Sequence, residues 1–257
     1  MHHRGRGILL DIEGTTSSIA FVYEVMFPYV RKHLTFEVFA NWLEKEYIEA
    51  FHLVAQDVGY ESLDHWLKAH RLSRENPVRA AELICREVLR LMDADAKTTG
   101  LKTLQGLIWR GGFQSGELVA HVFDDVPPAL AAWHTAGQDI RVYSSGSIEA
   151  QQLFFGHTVA GNLLPFFRGH YDTTLGPKKE PASYRKIAQQ FGLAPQEVLF
   201  LSDAAAELDA AREAGLATAL VVRPGNPPAA ASDPPHPMIQ SFAEIEVASD
   251  PATRAPR

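Results

Sequence analysis

Short apolar runs recur along the chain, at residues 7–11, 140–144, 198–202 and 217–222. Each run is bounded by glycine, proline or polar residues, and stretches with apolar residues at helical spacing separate most of them. Continuous apolar runs of this kind are typical of strands that are buried on both faces. Their alternation with helical patterns predicts an α/β fold, in which crossover helices connect the strands of a parallel sheet.

A long segment without strand signals separates the first run from the second. From residue 21 to residue 115 the pattern is helical, and it predicts helices at residues 36–48, 63–70, 78–92 and 99–109. A simple crossover needs only about a dozen residues. We therefore predict a helical cap, residues 20–115, inserted into an α/β core that is formed by residues 1–19 and 116–230. A lid over the strand ends is one interpretation, and a purely structural insertion is the other.

The pattern also assigns apolar residues to one of the predicted helices and to the C-terminal segment. The predicted helix 36–48 carries Phe39, Leu43 and Tyr47 on its apolar stripe. Residues 231–257 form a C-terminal segment, in which the apolar residues 238–245 are a candidate for packing back onto the core. From about residue 248 onward we predict disorder.

Acidic and hydroxyl residues follow the first predicted strand. Asp11 and Glu13 are two positions apart, so they point to the same side of an extended chain. Two carboxylates this close raise each other's pKa unless a cation or hydrogen-bond donors intervene, and Mg²⁺ is a suitable cation because it prefers oxygen ligands. Gly14 permits a tight turn, while Thr15 and Thr16 offer hydroxyls and backbone N–H groups to an anion. An ordinary boundary between strand and turn is the alternative.

Hydroxyl residues also stand at the end of the second predicted strand. The sequence SSGS begins at Ser144 and Ser145 and opens a predicted helix at residues 148–155. Hydroxyls and unpaired N–H groups at a helix N-terminus form a site for a phosphate or an oxyanion. A simple helix cap with a flexible turn explains the same residues equally well.

Charged residues follow later in the chain. Lys178 and Lys179 precede a predicted helix at residues 183–191, where one lysine could reach a dianionic group or both could be solvated. Asp203 ends the third predicted strand, either as a further ligand of a cation shared with Asp11 or as a helix cap. Glu207 lies one helical turn beyond it.

Composition and charge limit the classes of partner that we expect this chain to bind. The chain has 257 residues, with 24 basic and 31 acidic residues and a net charge of −7, so no basic excess favours nucleic acid or anionic lipid. We predict a monomer that acts on a small molecule and binds neither nucleic acid nor membrane. Cys85 is the single cysteine, which suits a reducing compartment. The first strand starts within ten residues of the N-terminus and leaves no room for a signal peptide, so we predict a cytoplasmic protein.

The order of these elements is characteristic: an acidic pair with threonine, then serine, then lysine, then aspartate. The chain resembles the haloacid dehalogenase (HAD) superfamily, whose four motifs occur in this order. Within it, the chain is similar to the enolase-phosphatases of methionine salvage, and the similarity extends nearly to Asn226. The segments that carry this resemblance are LLDIEGTTSSIAFVYEVMFPYVRKHL, LQGLIWRGGFQSGELVAHVFDDVPPAL, VYSSGSIEAQQLFFGHTVAGNLLPFF, YDTTLGPKKEPASYRKIA and VVRPGN. It implies a Rossmann-type parallel sheet with an inserted helical cap.

The resemblance also implies roles for particular residues. Asp11 matches the nucleophile, and Glu13 matches the acid/base residue. The carboxylates of Asp11 and Asp203, with the backbone carbonyl of Glu13, match the ligands of Mg²⁺. Lys178 would offset charge on the phosphoryl group, and Ser144 with Ser145 would bind the substrate phosphate. The implied reaction converts 2,3-diketo-5-methylthiopentyl 1-phosphate, through its enol, to the acireductone 1,2-dihydroxy-3-keto-5-methylthiopentene and phosphate.

Several alternatives stay open at this point. Glu207 either orders a metal-bound water or has a structural role, and the sequence favours the second. Trp109 and Phe113 either accommodate a thioether or belong to the core. The base of the enolisation is not assigned, although Glu13 is a candidate. A phosphatase for another small phosphate ester and a catalytically silent binding protein on the same fold are the rival functions.

Overall fold

The computed structural model describes residues 1–226 and 235–248. Contacts within the chain divide it into two compact units. One unit comprises Met1–Val22 together with Val119–Arg257, and the other is Tyr23–Leu118. The predicted disorder beyond residue 248 lies outside the described residues.

The unit Tyr23–Leu118 is helical. Its α-helices are α1 (Phe27–Ala40), α2 (Lys45–Asp57), α3 (Leu63–Ala69), α4 (Pro77–Asp93) and α5 (Thr99–Ser115). α2 packs along α5, and α1 packs against α4. A Cβ atom at Gly100 would lie 2.3 Å from the backbone nitrogen of Val54, so glycine at this position allows the two helices to approach closely.

The predicted helix 36–48 is wrong. The chain leaves α1 at Asn41, whose side-chain amide donates to the carbonyl oxygen of Glu37 and closes the helix end. A second helix starts at Lys45, so Tyr47 is buried while Phe39 and Leu43 are 43% and 84% exposed. The apolar spacing that we interpreted as one stripe therefore spans two helices.

The other unit contains a parallel sheet. Its strands, with those of a small additional pairing, are β1 (His2–His3), β2 (Gly7–Leu10), β3 (Asp139–Tyr143), β4 (Gly169–Tyr171), β5 (Val198–Ser202), β6 (Ala217–Val221), β7 (Met238–Ile239) and β8 (Glu246–Val247). Among the described residues, six strands form the main sheet in the order β4-β3-β2-β5-β6-β7, and every neighbouring pair is parallel. β1 pairs with β8. The predicted α/β fold class is confirmed.

Helices connect the strands of this sheet: α6 (Val126–Thr135), α7 (Ile148–Gly156), α8 (Pro181–Phe191) and α9 (Ala205–Glu213). β2 lies at the centre of the sheet, and its residues Ile8, Leu9 and Leu10 are fully buried, which explains the uninterrupted apolar run. β4 was not predicted because it is a short edge strand, Gly-His-Tyr, without an apolar run.

The apolar residues 238–245 pack back onto the α/β unit as expected. β7 extends the sheet beside β6, and Phe242 is fully buried. No helix among residues 1–226 and 235–248 combines the length and the apolarity that crossing a bilayer requires.

Strand register brings the predicted site residues to one edge of the sheet. Leu10 pairs with Val142 on one side and with Leu201 on the other. Asp11, Ser144 and Asp203 follow these residues by one or two positions. Because the strands are parallel, their carboxyl ends lie at the same edge, where ligands bind in open α/β sheets.

Candidate active site

The carboxylate of Asp11 is buried at the end of β2 and is held by three donors. Its Oδ1 atom accepts a hydrogen bond from the backbone N–H of Ile12 at 2.8 Å and one from Nζ of Lys178 at 2.7 Å. Its Oδ2 atom lies 3.3 Å from the hydroxyl of Ser202. Asp11 is only 5% exposed, so these contacts replace most of its hydration and fix its orientation.

Lys178 lies between two carboxylates. Its ammonium group is 2.7 Å from Oδ1 of Asp11 and 2.6 Å from Oε2 of Glu207, and its backbone carbonyl accepts from the hydroxyl of Tyr184 at 2.7 Å. Burial opposes the charged form, but the charges of Asp11 and Glu207 outweigh it and raise the pKa of Lys178. The lysine is therefore a fixed positive charge beside Asp11. Lys179 is exposed, so the structure distinguishes the two lysines.

Glu207 belongs to this buried cluster. Its Oε2 atom accepts from Lys178 and lies 3.1 Å from the hydroxyl of Ser202, which also faces Asp11. Burial, followed by the charge of Asp11, raises the pKa of Glu207 above its ordinary value. The structural role that the sequence favoured is supported by these contacts, because Glu207 pairs with the lysine.

Asp203 stands at the start of the turn that leads into α9. Burial and the charge of Asp11 raise the pKa of its carboxyl to about 7, with a smaller contribution from Glu13. A Cβ atom at Gly14 would lie 2.1 Å from Oδ2 of Asp203. Gly14 also has a φ of 70°, so both conformation and space require glycine there.

Asn226 closes the other side of the Gly14 turn. Its Nδ2 group donates to the carbonyl of Gly14 at 2.8 Å, and its Oδ1 atom would lie 3.1 Å from a Cβ on Gly14. This Oδ1 atom is buried, and it has no hydrogen-bond partner within the part of the chain that the structure describes. An acceptor oxygen near Asp203 is therefore left for a donor outside the protein, such as a water.

These oxygens fit a divalent cation. Asp11 and Asp203 are close enough for one charge to raise the other's pKa, and a bound cation would relieve that repulsion. Among residues 1–226 and 235–248, no three side chains of His, Cys, Asp or Glu form a group that could hold a metal ion. The ligand set that the family resemblance implies, two carboxylates and the main-chain carbonyl of Glu13, does not need such a group. Glu13 itself is half-buried and forms an isolated bridge with Ser17.

The prediction that the backbone N–H groups of Thr15 and Thr16 bind an anion is wrong. Both N–H groups donate to the carbonyl of Ile12, at 3.2 and 3.0 Å, and therefore close the turn itself. The hydroxyl of Thr16 lies within hydrogen-bond distance of the carbonyls of Asp11 and Ile12. These threonines shape the loop after β2.

The SSGS loop forms the helix cap that the sequence allowed, and a phosphate site at Ser144 and Ser145 stays a prediction. Ser147 caps α7, because its hydroxyl accepts from the N–H of Ala150 at 3.2 Å. Ser144 has a different role: it is 3% exposed, its N–H donates to the carbonyl of Tyr171, and its Oγ atom accepts from the N–H of Gly146. Ser145, which follows it, is half-buried.

Several residues that build this site were not predicted individually from the sequence. Ser202 contacts both buried carboxylates, and Arg223 donates to the carbonyl of Thr15 at 3.0 Å. Arg223 and Asn226 both follow β6, which is the fourth of the apolar runs. Polar residues after that run were therefore the signal that could have identified them. In the helical unit, Trp109 and Phe113 are both buried, and the Trp109 indole donates to the carbonyl of Met26.

Comparisons with known proteins agree with this geometry. A family model for haloacid dehalogenase-like hydrolases matches residues 6–215. Enolase-phosphatase E1 of Pseudomonas fluorescens is 45% identical over 218 residues, which cover 85% of this chain and 89% of that protein. Enolase-phosphatase E1 of Danio rerio is 40% identical over 247 residues, covering 94% and 95%.

Solved structures show the same architecture. The crystal structure of the UTR4 protein from Saccharomyces cerevisiae superimposes with a TM-score of 0.72 at 30% identity, covering 93% of this chain and 99% of that chain. CbbY from Rhodobacter sphaeroides, solved with phosphate, has a TM-score of 0.54 at 15% identity, covers 93% and 96%, and supports the fold alone.

The chain belongs to the haloacid dehalogenase-like hydrolases and, within them, to the enolase-phosphatases. The family predicted from the sequence motifs is confirmed. Enzymes of this family are generally metal-dependent, which agrees with the oxygen-rich site around Asp11 and Asp203.

Proposed function

We propose that Asp11, Glu13, Ser144, Ser145, Lys178 and Asp203 carry out an enolase-phosphatase reaction at the carboxyl edge of the sheet. The chain is a hydrolase with enolase activity of the methionine salvage type. It converts 2,3-diketo-5-methylthiopentyl 1-phosphate, through the enol, to the acireductone 1,2-dihydroxy-3-keto-5-methylthiopentene and phosphate. The observation that supports the residue assignment best is the buried Asp11 carboxylate with Lys178 bonded to it.

In the phosphatase half, Asp11 is the nucleophile. Its carboxylate attacks phosphorus, the bond from phosphorus to the substrate oxygen breaks, and an acyl phosphate forms on the protein. Glu13 protonates the leaving oxygen and then takes a proton from the water that hydrolyses the acyl phosphate. Lys178 offsets the negative charge on the phosphoryl oxygens, and Ser144 with Ser145 binds the phosphate.

The cation that fits this site is Mg²⁺, held by the carboxylates of Asp11 and Asp203 and by the backbone carbonyl of Glu13. When bound, it supplies a positive charge that stabilises phosphoryl oxygens and an enolate oxygen. Glu207 holds Lys178 in place through a second ion pair. In the enolase half, Glu13 is our candidate for the base that removes the proton from carbon.

The remaining features of the chain complete this proposal. Residues 20–115 act as a cap on a core of residues 1–19 and 116–230, with residues 231–257 as a C-terminal segment. The protein works as a cytoplasmic monomer on a small phosphate ester and binds neither nucleic acid nor membrane. Its negative net charge and single cysteine support that setting.

The test is an assay that follows the enol by its absorbance and phosphate by release, from the diketo phosphate, with and without Mg²⁺. We expect the enol to appear before phosphate in the native enzyme. Asp11→Asn should reduce phosphate release by about 10³-fold or more while the fold is retained, because the carboxamide is not a nucleophile. Near-normal turnover in this variant would refute the assigned nucleophile. Phosphate release without a preceding enol would favour a phosphatase for another ester.

A further inference from the structure

The side chain of Gln151 lies directly behind the SSGS loop. It projects from the first turns of α7 and is 1% exposed. Its Nε2 group donates two hydrogen bonds, one to the carbonyl of Gly146 and one to the carbonyl of Tyr171, both at 2.8 Å. Its Oε1 atom lies 3.2 Å from Nδ1 of His170. Every polar atom of the Gln151 amide therefore has a partner, and water has almost no access to replace one.

These bonds join the loop to the neighbouring strand. The Tyr171 carbonyl, at the end of β4, also accepts from the backbone N–H of Ser144 at 3.2 Å. Gly146, whose carbonyl Gln151 holds, donates its own N–H to Oγ of Ser144 at 3.3 Å. Ser144, Gly146, Tyr171 and Gln151 thus form a closed ring of hydrogen bonds.

This ring determines how Ser144 is presented. A hydroxyl oxygen that accepts from a backbone N–H keeps its own hydrogen for donation to an anion. The position of that hydroxyl depends on the Gly146 peptide, which in turn depends on the Gln151 amide. A glycine peptide has more conformational freedom than any other, so an external bond to it restricts the loop most effectively.

We propose that Gln151 is a positioning residue that fixes the SSGS loop in the conformation that binds the substrate phosphate. The inference deepens the proposed function, because it rests on Ser144 as a phosphate-binding residue. Gln151 acts through the loop, since both of its donated bonds end on backbone carbonyls.

The chain offers a matched pair of substitutions for the test. Gln151→Glu keeps the size and the acceptor toward His170 but replaces both donors by a carboxylate oxygen facing two carbonyls. Gln152→Glu makes the same chemical change at an exposed neighbouring position. The measurements are the inhibition constant of inorganic phosphate, KM and kcat, on the Mg²⁺-loaded enzyme, together with thermal melting.

We expect Gln151→Glu to raise KM and the phosphate inhibition constant by about 10-fold with a much smaller change in kcat, because two buried hydrogen bonds are lost. Gln152→Glu should leave all three unchanged. The ratio of the variant's inhibition constant to the native value should fall as pH is lowered, since a protonated glutamic acid can again donate one bond. A merely structural role would not produce this pH dependence.

Gln151→Met tests the same idea without a new charge and should also weaken phosphate binding. Unchanged phosphate inhibition in folded Gln151→Glu and Gln151→Met would overturn the proposal. Loss of folding in both variants would also overturn it, because Gln151 would then be required by the fold rather than by the loop. Ser144→Ala distinguishes a failure of this inference from a failure of the proposed phosphate site. If Ser144→Ala weakens phosphate binding and the Gln151 variants do not, only this inference fails. If none of them weakens it, the proposed phosphate site fails as well.

Discussion

Among the described residues, the two units of the chain differ in how deeply they bury an ion pair. In the helical unit Tyr23–Leu118, Arg31 pairs with Asp93 through side chains that are 41% and 67% exposed. In the α/β unit, Lys178 pairs with Asp11 through side chains that are only 9% and 7% exposed. Exposed pairs contribute little to stability, whereas buried pairs carry a large desolvation cost that good geometry must offset.

Charges whose burial carries a high desolvation cost are found at particular places in this protein. Two buried ion pairs of the described residues stand beside the loop that follows β2. Lys178 pairs with the Asp11 carboxylate, and Arg223 pairs with Asp125 and also donates to the Thr15 carbonyl. A carboxylate that must attack phosphorus has to be ionised, oriented and partly removed from water. The Lys178–Asp11 pair meets that requirement, and the helical unit has no ion pair buried to the same degree among its described residues.

Among substitutions of the ion pairs, the largest expected effect comes from Lys178→Met. It leaves Asp11 and Glu207 buried without their shared cation, so we expect kcat/KM to fall by about 10²–10³-fold. The free energy of unfolding of the metal-free protein should fall by about 3 kcal/mol, measured by urea denaturation. Lys179→Met removes the adjacent exposed lysine and is the control. Equal effects of the two substitutions would contradict the claim that the buried lysine matters more than the exposed one.

Arg223→Met should be the next largest, and its effect should be on stability first. Arg223 is 6% exposed, donates to both carboxylate oxygens of Asp125 and to two backbone carbonyls, and its guanidinium lies 4.5 Å from the ring centre of Phe123. We expect a loss of about 3 kcal/mol in the free energy of unfolding, because Asp125 keeps a charge without its cation.

Combining Arg223→Met with Asp125→Asn should recover part of that loss, since the unpaired charge is removed. Simple additivity of the two substitutions would show that the ion pair itself does not couple these residues.

The pKa of Asp203 predicts an intermediate effect on the metal-free protein. Its pKa is raised from 3.8 to about 7, so between these values the folded state holds more protons than the unfolded state. The free energy of unfolding should therefore fall as pH rises through this window, by about 1–2 kcal/mol after solvent screening.

Asp203→Asn should reduce this pH dependence and leave the part that comes from the raised pKa of Glu207. Saturating Mg²⁺ should also reduce it in the native chain. Glu213→Gln, an exposed carboxylate on α9, is the control. A steeper fall in the presence of Mg²⁺ would contradict the placement of the cation at Asp203.

The smallest effect should come from Arg31→Ala in the helical unit. Both partners of this pair are largely in water, so we expect a change below about 0.5 kcal/mol in the free energy of unfolding. Urea denaturation of the whole chain measures it beside Arg223→Met. A loss above about 2 kcal/mol would mean that surface pairs matter here as much as buried ones do.

Much of the α/β unit was predictable because its signals are local. The apolar runs that became β2, β5 and β6 are almost entirely buried, and a strand of that kind has a continuous hydrophobic sequence. In β3, buried residues alternate with the half-buried Asp139 and Arg141. β4 was not predictable in this way, since an edge strand of three residues needs no apolar run. The break between α1 and α2 was also missed, because apolar residues happened to continue the spacing across it.

In the candidate site, too, some features have a local sequence signal and others do not. Asp11, Ser144 and Asp203 could be predicted to converge, because polar residues after parallel strands must share one edge of the sheet. The choice of Lys178 over Lys179 rested on the family resemblance alone, because neighbouring residues in a loop have no fixed period that would distinguish them. The bond from Gln151 to Gly146 could not be predicted, since it depends on how α7 lies behind its own N-terminal loop.

By itself, the sequence determined the strand ends, the order of the motifs and hence the family, because these are recorded in short stretches of residue types. Only the tertiary structure decided which charges are buried together. Lys178 is 167 positions from Asp11, and Ser202 is 191 positions away, yet all three meet at hydrogen-bond distance. Contacts of that kind arise from sheet register and helix packing, which depend on the whole chain at once and leave no local periodic signal.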